Sequence, residues 1–427
     1  MIKGNIFKCS AALLVYACLQ SPALAQSSFK LSTLRVTGSQ RFEELTLVRA
    51  TGLQAGQEVS EGALKEAADR LASPGMFTNV EYTYTEAPTG TVVEFQVKDR
   101  ERLLPASFDN FVWLSREQLL SELRKREPLF TGDVPNAGSM FQRLADDLKA
   151  ILAERGVIAT VDGFPVAPMT GGGITGFIYT VQGVRIPIRR VEFPGASPEM
   201  TQSLEKTSTP LLDGDFAESR LRAFCDKDLL PQYQMRGYLH AGFDGAQAQV
   251  VEPSTNAVAV RVPVHEGLQY KLTGVRWHGN SAYSASDLSK SLNVRVGQPA
   301  DKVQLDEDLA RMQLIYGTRG YLDAHVETMP VFDDHAATVS FDVDIVEGEQ
   351  YHMGNLRFEG ISDSSANALS KLWKLKPGDT FSTAYAQLFL QGASLQLDLS
   401  RVNVEVTRQP HRDTRTVDLV LRFTPRK

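Results

Sequence analysis

The sequence has little of what covalent, redox or metal chemistry needs. Three cysteines occur in 427 residues, and Cys9 and Cys18 lie close to the N-terminus. Cys225 is alone in the remainder, which excludes an internal disulfide there. It reads as a small buried residue on a helix. The seven histidines, His240, His265, His278, His325, His335, His352 and His411, form no H-E-x-x-H or other compact ligand spacing. Gly171-Gly172-Gly173 lacks the Lys-Ser/Thr of a phosphate loop, and no serine sits in a G-x-S-x-G elbow. Neither sign of charge dominates: the net charge is −6 with both signs mixed along the chain. That excludes the basic field on which nucleic-acid binding depends. Beyond the first 25 positions no apolar run is long enough to span a bilayer as a helix.

The N-terminus belongs to a different class. Lys3 and Lys8 form a positive region, Ala11 to Leu19 a short apolar core, and Ala23-Leu24-Ala25 a small-x-small cleavage signal before Gln26. This pattern predicts a secretory signal peptide over residues 1–25. A lipoprotein site at Cys18, after Val15-Tyr16-Ala17, is the alternative. With 42% hydrophobic and 22% charged residues, the rest has ample apolar material for packed cores.

What the sequence does have is repetition. An alternating strand ending in glycine recurs as L-R-V-T-G (34–38), V-E-F-P-G (191–195), V-R-W-H-G (275–279) and L-R-F-E-G (356–360). A second phrase recurs as R-G-V-I-A-T-V (155–161), R-G-Y-L-H-A-G-F (236–243) and R-G-Y-L-D-A-H-V (319–326), with outlying versions at 74–80 and 398–404. A strand closes each unit: V-V-E-F-Q-V, F-I-Y-T-V-Q, V-A-V-R-V-P-V, V-S-F-D-V-D-I-V and V-D-L-V-L-R-F. Gly195, Gly279 and Gly360 are evenly spaced, while Gly38 stands about two intervals before Gly195, so a degenerate copy starts near Leu103.

Each phrase has a physical reading. Alternation marks sheets with one buried face. The terminal glycine supplies a positive φ for the turn that follows. Leu305, Leu309, Met312 and Ile315 make one helical stripe, and Leu144, Leu148, Ile151 and Leu152 its counterpart. Arg-Gly then ends the helix, with glycine at the left-handed cap and arginine answering the dipole. The expected fold is α+β: tandem β-α-α-β-β units, each a three-stranded mixed sheet with two helices on one face. The boundaries expected are 28–99, 100–183 (the degenerate copy), 184–267, 268–347 and 348–427.

This cassette, with its inner glycines, R-G-Y-L-D-A-H-V, and the joints H-E-G-L-Q-Y (265–270) and V-E-G-E-Q-Y (346–351), resembles the POTRA domain. The array resembles the periplasmic part of outer-membrane barrel assembly and translocation factors. The resemblance implies a non-enzymatic periplasmic scaffold that binds unfolded outer-membrane proteins, a separate membrane barrel or a lipoprotein. It implies β-augmentation as the binding mode, in which an extended segment pairs with a free sheet edge. The alternative is a periplasmic spacer that docks one folded partner without touching clients. A membrane barrel needs at least about eight strands of roughly ten residues, and the last strand pattern here ends near Phe423, so no barrel is expected in the sequence.

The candidate partner-binding residues are second-strand edges: Asn79, Val80 and Glu81 running on to Thr83, Ala324, His325, Val326, Glu327 and Thr328, and Val402, Asn403, Val404, Glu405 and Val406. No cofactor, metal or catalytic residue is expected. His325 and His335, with Asp333-Asp334, read as a solvated hairpin tip. Asp213-Gly214-Asp215 reads as a turn capping the next helix. Tyr82, Tyr84, Phe341 and Phe358 read as sheet packing, and Asp306-Glu307-Asp308 as the solvated face of their helix.

Overall fold

The structure is a computed structural model, which describes residues 28–168, 171–394 and 402–426. The signal-peptide and Cys18 readings lie outside the described residues. The chain divides into two compact units. One comprises the chain up to Glu192 with Ser208–Arg222 and Ala246–Val262, the other Phe193–Thr207, Ala223–Gly245 and everything from Pro263.

The first unit begins with β1 (Phe29–Thr37), α1 (Glu44–Thr51), β2 (Glu58–Val59), α2 (Glu61–Ala72), β3 (Phe77–Ala87) and β4 (Gly90–Asp99). Alternation, with a bulge after Leu31, puts Leu31, Val36, Val93 and Phe95 on one face of the sheet, where they pack with Leu47, Leu64 and Leu71 from the two helices. Ser60 starts α2 by accepting the Ala63 N–H. The strand order is β2-β1-β4-β3, with β1 parallel to β4 and β3 antiparallel to it.

The same order follows in β5 (Leu104–Phe108), α3 (Arg116–Arg126), β6 (Asp133–Val134), α4 (Met140–Ala153), β7 (Thr160–Val166) and β8 (Gly176–Gln182). Their sheet runs β6-β5-β8-β7. Both sheets thus hold a fourth, two-residue strand that alternation could not reveal, since two residues carry no period. The glycine run 171–173 falls between β7 and β8, where a hairpin loop was expected.

The remaining elements are β9 (Ile188–Glu192), α5 (Pro198–Ser208), α6 (Glu218–Phe224), a π-helical turn over Cys225–Leu229, α7 (Leu230–Gln234), β10 (Gly242–Phe243), β11 (Gln247–Glu252), β12 (Ala257–Arg261), β13 (Val264–His265), β14 (Lys271–His278), α8 (Ala285–Lys290), α9 (Lys302–Thr318), β15 (His325–Asp333), β16 (Thr338–Val346), β17 (His352–Glu359), α10 (Asp363–Leu372), α11 (Tyr385–Ser394), β18 (Val402–His411) and β19 (Thr416–Pro425). They form sheets β11-β12-β9, β14-β16-β15 and β17-β19-β18, plus the pair β10-β13. Within the second unit, Leu305, Leu309, Met312 and Tyr316 are the buried stripe of α9 under Val339, Phe341 and Val343. Tyr316 takes the place expected of Ile315, which is half-buried. Met353, Phe381, Phe389, Leu419 and Leu421 form the equivalent core of the last repeat.

The glycines that end the first strands behave as expected: φ is +99° at Gly38, +97° at Gly195, +76° at Gly279 and +80° at Gly360. A Cβ at any of them would stand within 2.2 Å of a backbone carbonyl oxygen, on β4 for Gly38, β13 for Gly195, β16 for Gly279 and β19 for Gly360. Glycine is therefore required twice over, by φ and by the close approach.

Two expectations need correction. Asp306 and Glu307 are exposed, but Asp308 has no exposed surface at all. It accepts hydrogen bonds from the Asn293 N–H (2.5 Å) and side chain (2.8 Å), the Val294 N–H (3.3 Å) and Gln304 Nε2 (3.1 Å), and pairs with Arg311. The loop after α8 folds over that carboxylate, which sequence periodicity on α9 alone cannot show. Asp213-Gly214-Asp215 does not cap α6. Asp215 instead accepts the Ile186 N–H (2.9 Å), and Asp109 caps the helix through the Ser219 N–H (2.7 Å) and hydroxyl (3.0 Å). Tyr84 is half-exposed and stacks on Phe29 of β1, so it packs on the sheet face as expected. Cys225 is buried, on the π-helical turn, and burial pushes its thiol up to about 12, which leaves it inert as a nucleophile.

Candidate functional site

The three candidate segments lie on three different sheets, and each is at a sheet edge. Asn79–Thr83 belongs to β3, the outer neighbour of β4. His325–Thr328 opens β15, the outer neighbour of β16, and Val402–Val406 opens β18, the outer neighbour of β19. Ala324 stands just before β15 and is buried, with its carbonyl accepting Gln313 Nε2 at 2.7 Å. It is therefore an anchor of the strand rather than part of its free edge. Val326, Val402, Val404 and Val406 turn inward to their cores. His325, Glu327, Asn403 and Glu405 are exposed. The segments do not converge into one site.

Prolines decide which part of an edge is usable. Pro330 in β15 and Pro410 in β18 sit in ladders with no register shift. A proline fits such a ladder only with its nitrogen turned from the partner strand. Backbone groups alternate sides along a strand, so the N–H and C=O groups of Val326 and Thr328, and of Val402, Val404 and Val406, face the open side. An added strand can pair with these residues and must stop at the proline, which has no N–H to offer. Pro165 sits likewise near the end of β7, whereas β3 and β11 have no proline. The edges of β7 and β11 were not singled out from sequence. Their phrases, T-V-D-G-F-P-V and Q-A-Q-V-V-E, do alternate, and that signal could have found them.

Beside the edges lie the joints. In the second unit the Tyr270 N–H donates to the Gly237 carbonyl (2.8 Å) and Gln269 Nε2 to the Arg236 carbonyl (2.9 Å). Tyr351 and Gln350 repeat this on Gly320 (2.8 Å) and Arg319 (2.9 Å). The Tyr270 hydroxyl donates to Asp334 Oδ1 at 2.6 Å and lies 3.2 Å from His240 Nδ1. The Asp334 hydrogen bond, with burial, pushes that phenol up to about 12. The Tyr351 hydroxyl donates to Asp323 Oδ2 at 3.0 Å. So the aspartate and the histidine that close R-G-Y-L-D and R-G-Y-L-H hold the tyrosine of the next repeat. They do structural work, and sequence reasoning had given them none. The pairing was visible only as two sets of phrases, E-G-x-Q-Y and R-G-Y-L, recurring together.

Comparison with known proteins bears on what these units are. The POTRA family, described as a surface antigen variable number repeat, matches residues 270–348. Residues 270–348 are a POTRA domain. The sheets β11-β12-β9 and β17-β19-β18 repeat the strand order of its sheet β14-β16-β15. A Treponema pallidum (strain Nichols) protein, provisionally named an outer membrane protein assembly factor, is 25% identical over 315 residues, 71% of this chain and 36% of that protein. The outer membrane protein assembly factor BamA of Neisseria meningitidis serogroup B is 22% identical over 191 residues, 42% of this chain and 24% of BamA. The chain thus spans about a third or less of the length of these relatives. POTRA3-5 of Haemophilus influenzae BamA aligns at 21% identity with a TM-score of 0.43, covering 56% of this chain and 95% of that one.

A carboxylate closes the POTRA domain and its neighbour: Glu347 accepts the Ala282 N–H and Glu266 the Ser197 N–H, both at 2.7 Å. Asp99 does the same for the Gln40 (2.9 Å) and Arg41 (3.1 Å) N–H groups in the first unit. Arg319, at the helix end, reaches the Ala282 carbonyl (2.7 Å) and lies over the Tyr283 ring, whereas Arg155 and Arg236 bond the last turns of their own helices. Among the described residues no group of three or more His, Cys, Asp or Glu gathers to hold a metal, and no helix is long and apolar enough to cross a membrane.

Proposed function

We propose that the chain is a non-enzymatic periplasmic scaffold of POTRA domains, with the boundaries 28–99, 100–183, 184–267, 268–347 and 348–427. It binds outer-membrane protein clients or assembly partners by strand addition and so assists their assembly or secretion. The observation that carries the reading is the free edge of each recurring sheet, on β3, β7, β11, β15 and β18, with prolines placed beyond the candidate segments of β15 and β18. Main-chain hydrogen bonds along such an edge give affinity that tolerates many sequences, as a receiver of varied clients requires. The names of the two relatives support the assignment to outer-membrane protein assembly. The tied joints of the second unit favour a second reading, a stiff spacer that positions one folded partner.

The test uses a photoreactive residue at Glu327 or Glu405, both exposed on their edge strands, in cells of the source organism. Expected are crosslinks to barrel proteins or lipoproteins that disappear when Thr328→Pro or Val404→Pro removes an outward N–H. Crosslinks that survive both prolines refute strand addition. Retention of one folded partner with no unfolded client favours the spacer.

A further inference from the structure

Among the described residues, the second helices of four successive repeats end in a glycine of positive φ: Gly75 (+87°), Gly156 (+75°), Gly237 (+83°) and Gly320 (+85°). Three of these caps are covered by the chain of the following repeat. At Gly75 the Ser139 N–H and hydroxyl donate to the Ser73 carbonyl (2.8 and 2.9 Å), and the Met140 N–H to that of Pro74 (3.3 Å). At Gly237 and Gly320 a Gln-Tyr pair does this, as described above. A Cβ on any of the three would meet backbone within 2.6 Å.

Gly156 has the same cap geometry and no cover. The Val157 N–H closes the helix on the Leu152 carbonyl (3.0 Å), as Tyr238 does on Tyr233 (3.0 Å) and Tyr321 on Tyr316 (3.2 Å). Arg155 bonds its own helix end as Arg236 does. Yet nothing lies within 4 Å of a Cβ built at Gly156. The next apolar position is equally telling. Leu239 and Leu322 pack into the core of the following repeat, whereas Ile158, in the same place of the phrase, is 93% exposed. An isolated aliphatic side chain so exposed loses the burial that its counterparts gain. The open cap lines a groove of about 520 Å³ together with Trp113 and with Ala248, Gln249 and Val250 of the edge strand β11. That volume lies in the range of roughly 300–1,000 Å³ usual for ligand sites. Third-repeat residues of the same unit dock elsewhere, on Asp109 through Ser219 and on Trp113 through Asn256, and so leave the cap free.

We infer that the Gly156 cap is a socket for an extended segment of a partner protein bearing glutamine followed by an aromatic residue. The glutamine amide donates to the Arg155 carbonyl, the next backbone N–H to the Gly156 carbonyl, and the segment's apolar side chains cover Ile158. The chemistry is that of the two covered caps in the same chain. A second copy cannot supply it without opening its own joints, because Gln269-Tyr270 and Gln350-Tyr351 are already engaged. This inference is separate from the edge-strand reading.

The probe is a fluorescein-labelled peptide of residues 347–352, Glu-Gly-Glu-Gln-Tyr-His, titrated with the exported form of the full chain and followed by anisotropy. Expected is saturable binding that falls at least tenfold in Ile158→Glu, falls similarly when the peptide's Gln-Tyr becomes Ala-Ala, and is unchanged in Leu314→Glu, at an exposed position of α9. Because Ile158 is exposed, the variant keeps the fold, which circular dichroism verifies. No saturable binding at millimolar peptide, or equal binding by Ile158→Glu, overturns the socket. Self-association of the unliganded chain that Ile158→Glu abolishes identifies a second copy as the occupant and also overturns the proposal of a partner.

Discussion

Replacing Asp308 with alanine is expected to cost the fourth repeat about 3 kcal/mol. The carboxylate has no exposed surface and holds the backbone N–H groups of Asn293 and Val294 and the side chains of Asn293 and Gln304. Each hydrogen bond to a charged group contributes about 1.5–3 kcal/mol, and each buried donor left without a partner costs about 1–3 kcal/mol. Two terms reduce the sum. Arg311 is 48% exposed and regains water, so its pair adds little. Alanine also removes the desolvation cost of burying a carboxylate. Asp306, on the same helix and paired with exposed geometry to Lys302, is the control, and its loss shifts stability by no more than about 0.5 kcal/mol. Trp277 packs in this repeat and reports on it in a background with Trp113 and Trp373 changed to phenylalanine. With a urea slope of about 1 kcal/mol/M for a domain of this size, Asp308→Ala moves the Trp277 midpoint down by roughly 3 M. Equal midpoints for Asp308→Ala and Asp306→Ala would show that the buried carboxylate does not hold the loop.

Three further outcomes follow from the same geometry. Gly320→Ala places a Cβ 2.6 Å from the Tyr351 carbonyl oxygen at a positive φ, whereas Gly156→Ala meets open space. Urea unfolding followed by Trp373 should show a loss of 3 kcal/mol or more for a clash plus strain in the first variant, roughly, while Trp113 should show only about 1–2 kcal/mol of left-handed strain in the second. Burial holds both Glu127 and Asp147 above their usual range, against the lowering pull of Arg143 on each and of Arg126 on Asp147. A carboxyl raised on folding contributes stability below its unfolded pKa and loses it as pH rises through the folded value. The Trp113 urea midpoint should therefore fall as pH climbs from the ordinary carboxylate range, and Asp147→Asn should flatten that fall; a variant with the wild-type slope contradicts the assignment. Tyr351→Phe removes the hydroxyl bond to Asp323 and should lower the Trp373 midpoint by about 1 kcal/mol with the fold intact, as measured by near-ultraviolet dichroism.

How much was legible follows from the physics of each feature. Strand alternation and the R-G helix ends depend on residues close in sequence, so β4, β8, β12, β16 and β19 and the caps at Gly156, Gly237 and Gly320 stand where the phrases placed them. The two-residue strands β2 and β6 carry no period to detect. Asp308 shares the acidic character of Asp306 and Glu307, and only the loop folded above it sets it apart.

The sequence by itself determined the repeated β-α-α-β-β order, the glycines each turn requires and the candidate edges, because these rest on local φ, period and propensity. Tertiary structure alone decided what covers each edge and cap. Whether Ile158 is packed against a core like Leu239 or left open depends on where the next repeat docks, and that is set by Asp109, Trp113 and their distant partners rather than by the phrase around Gly156.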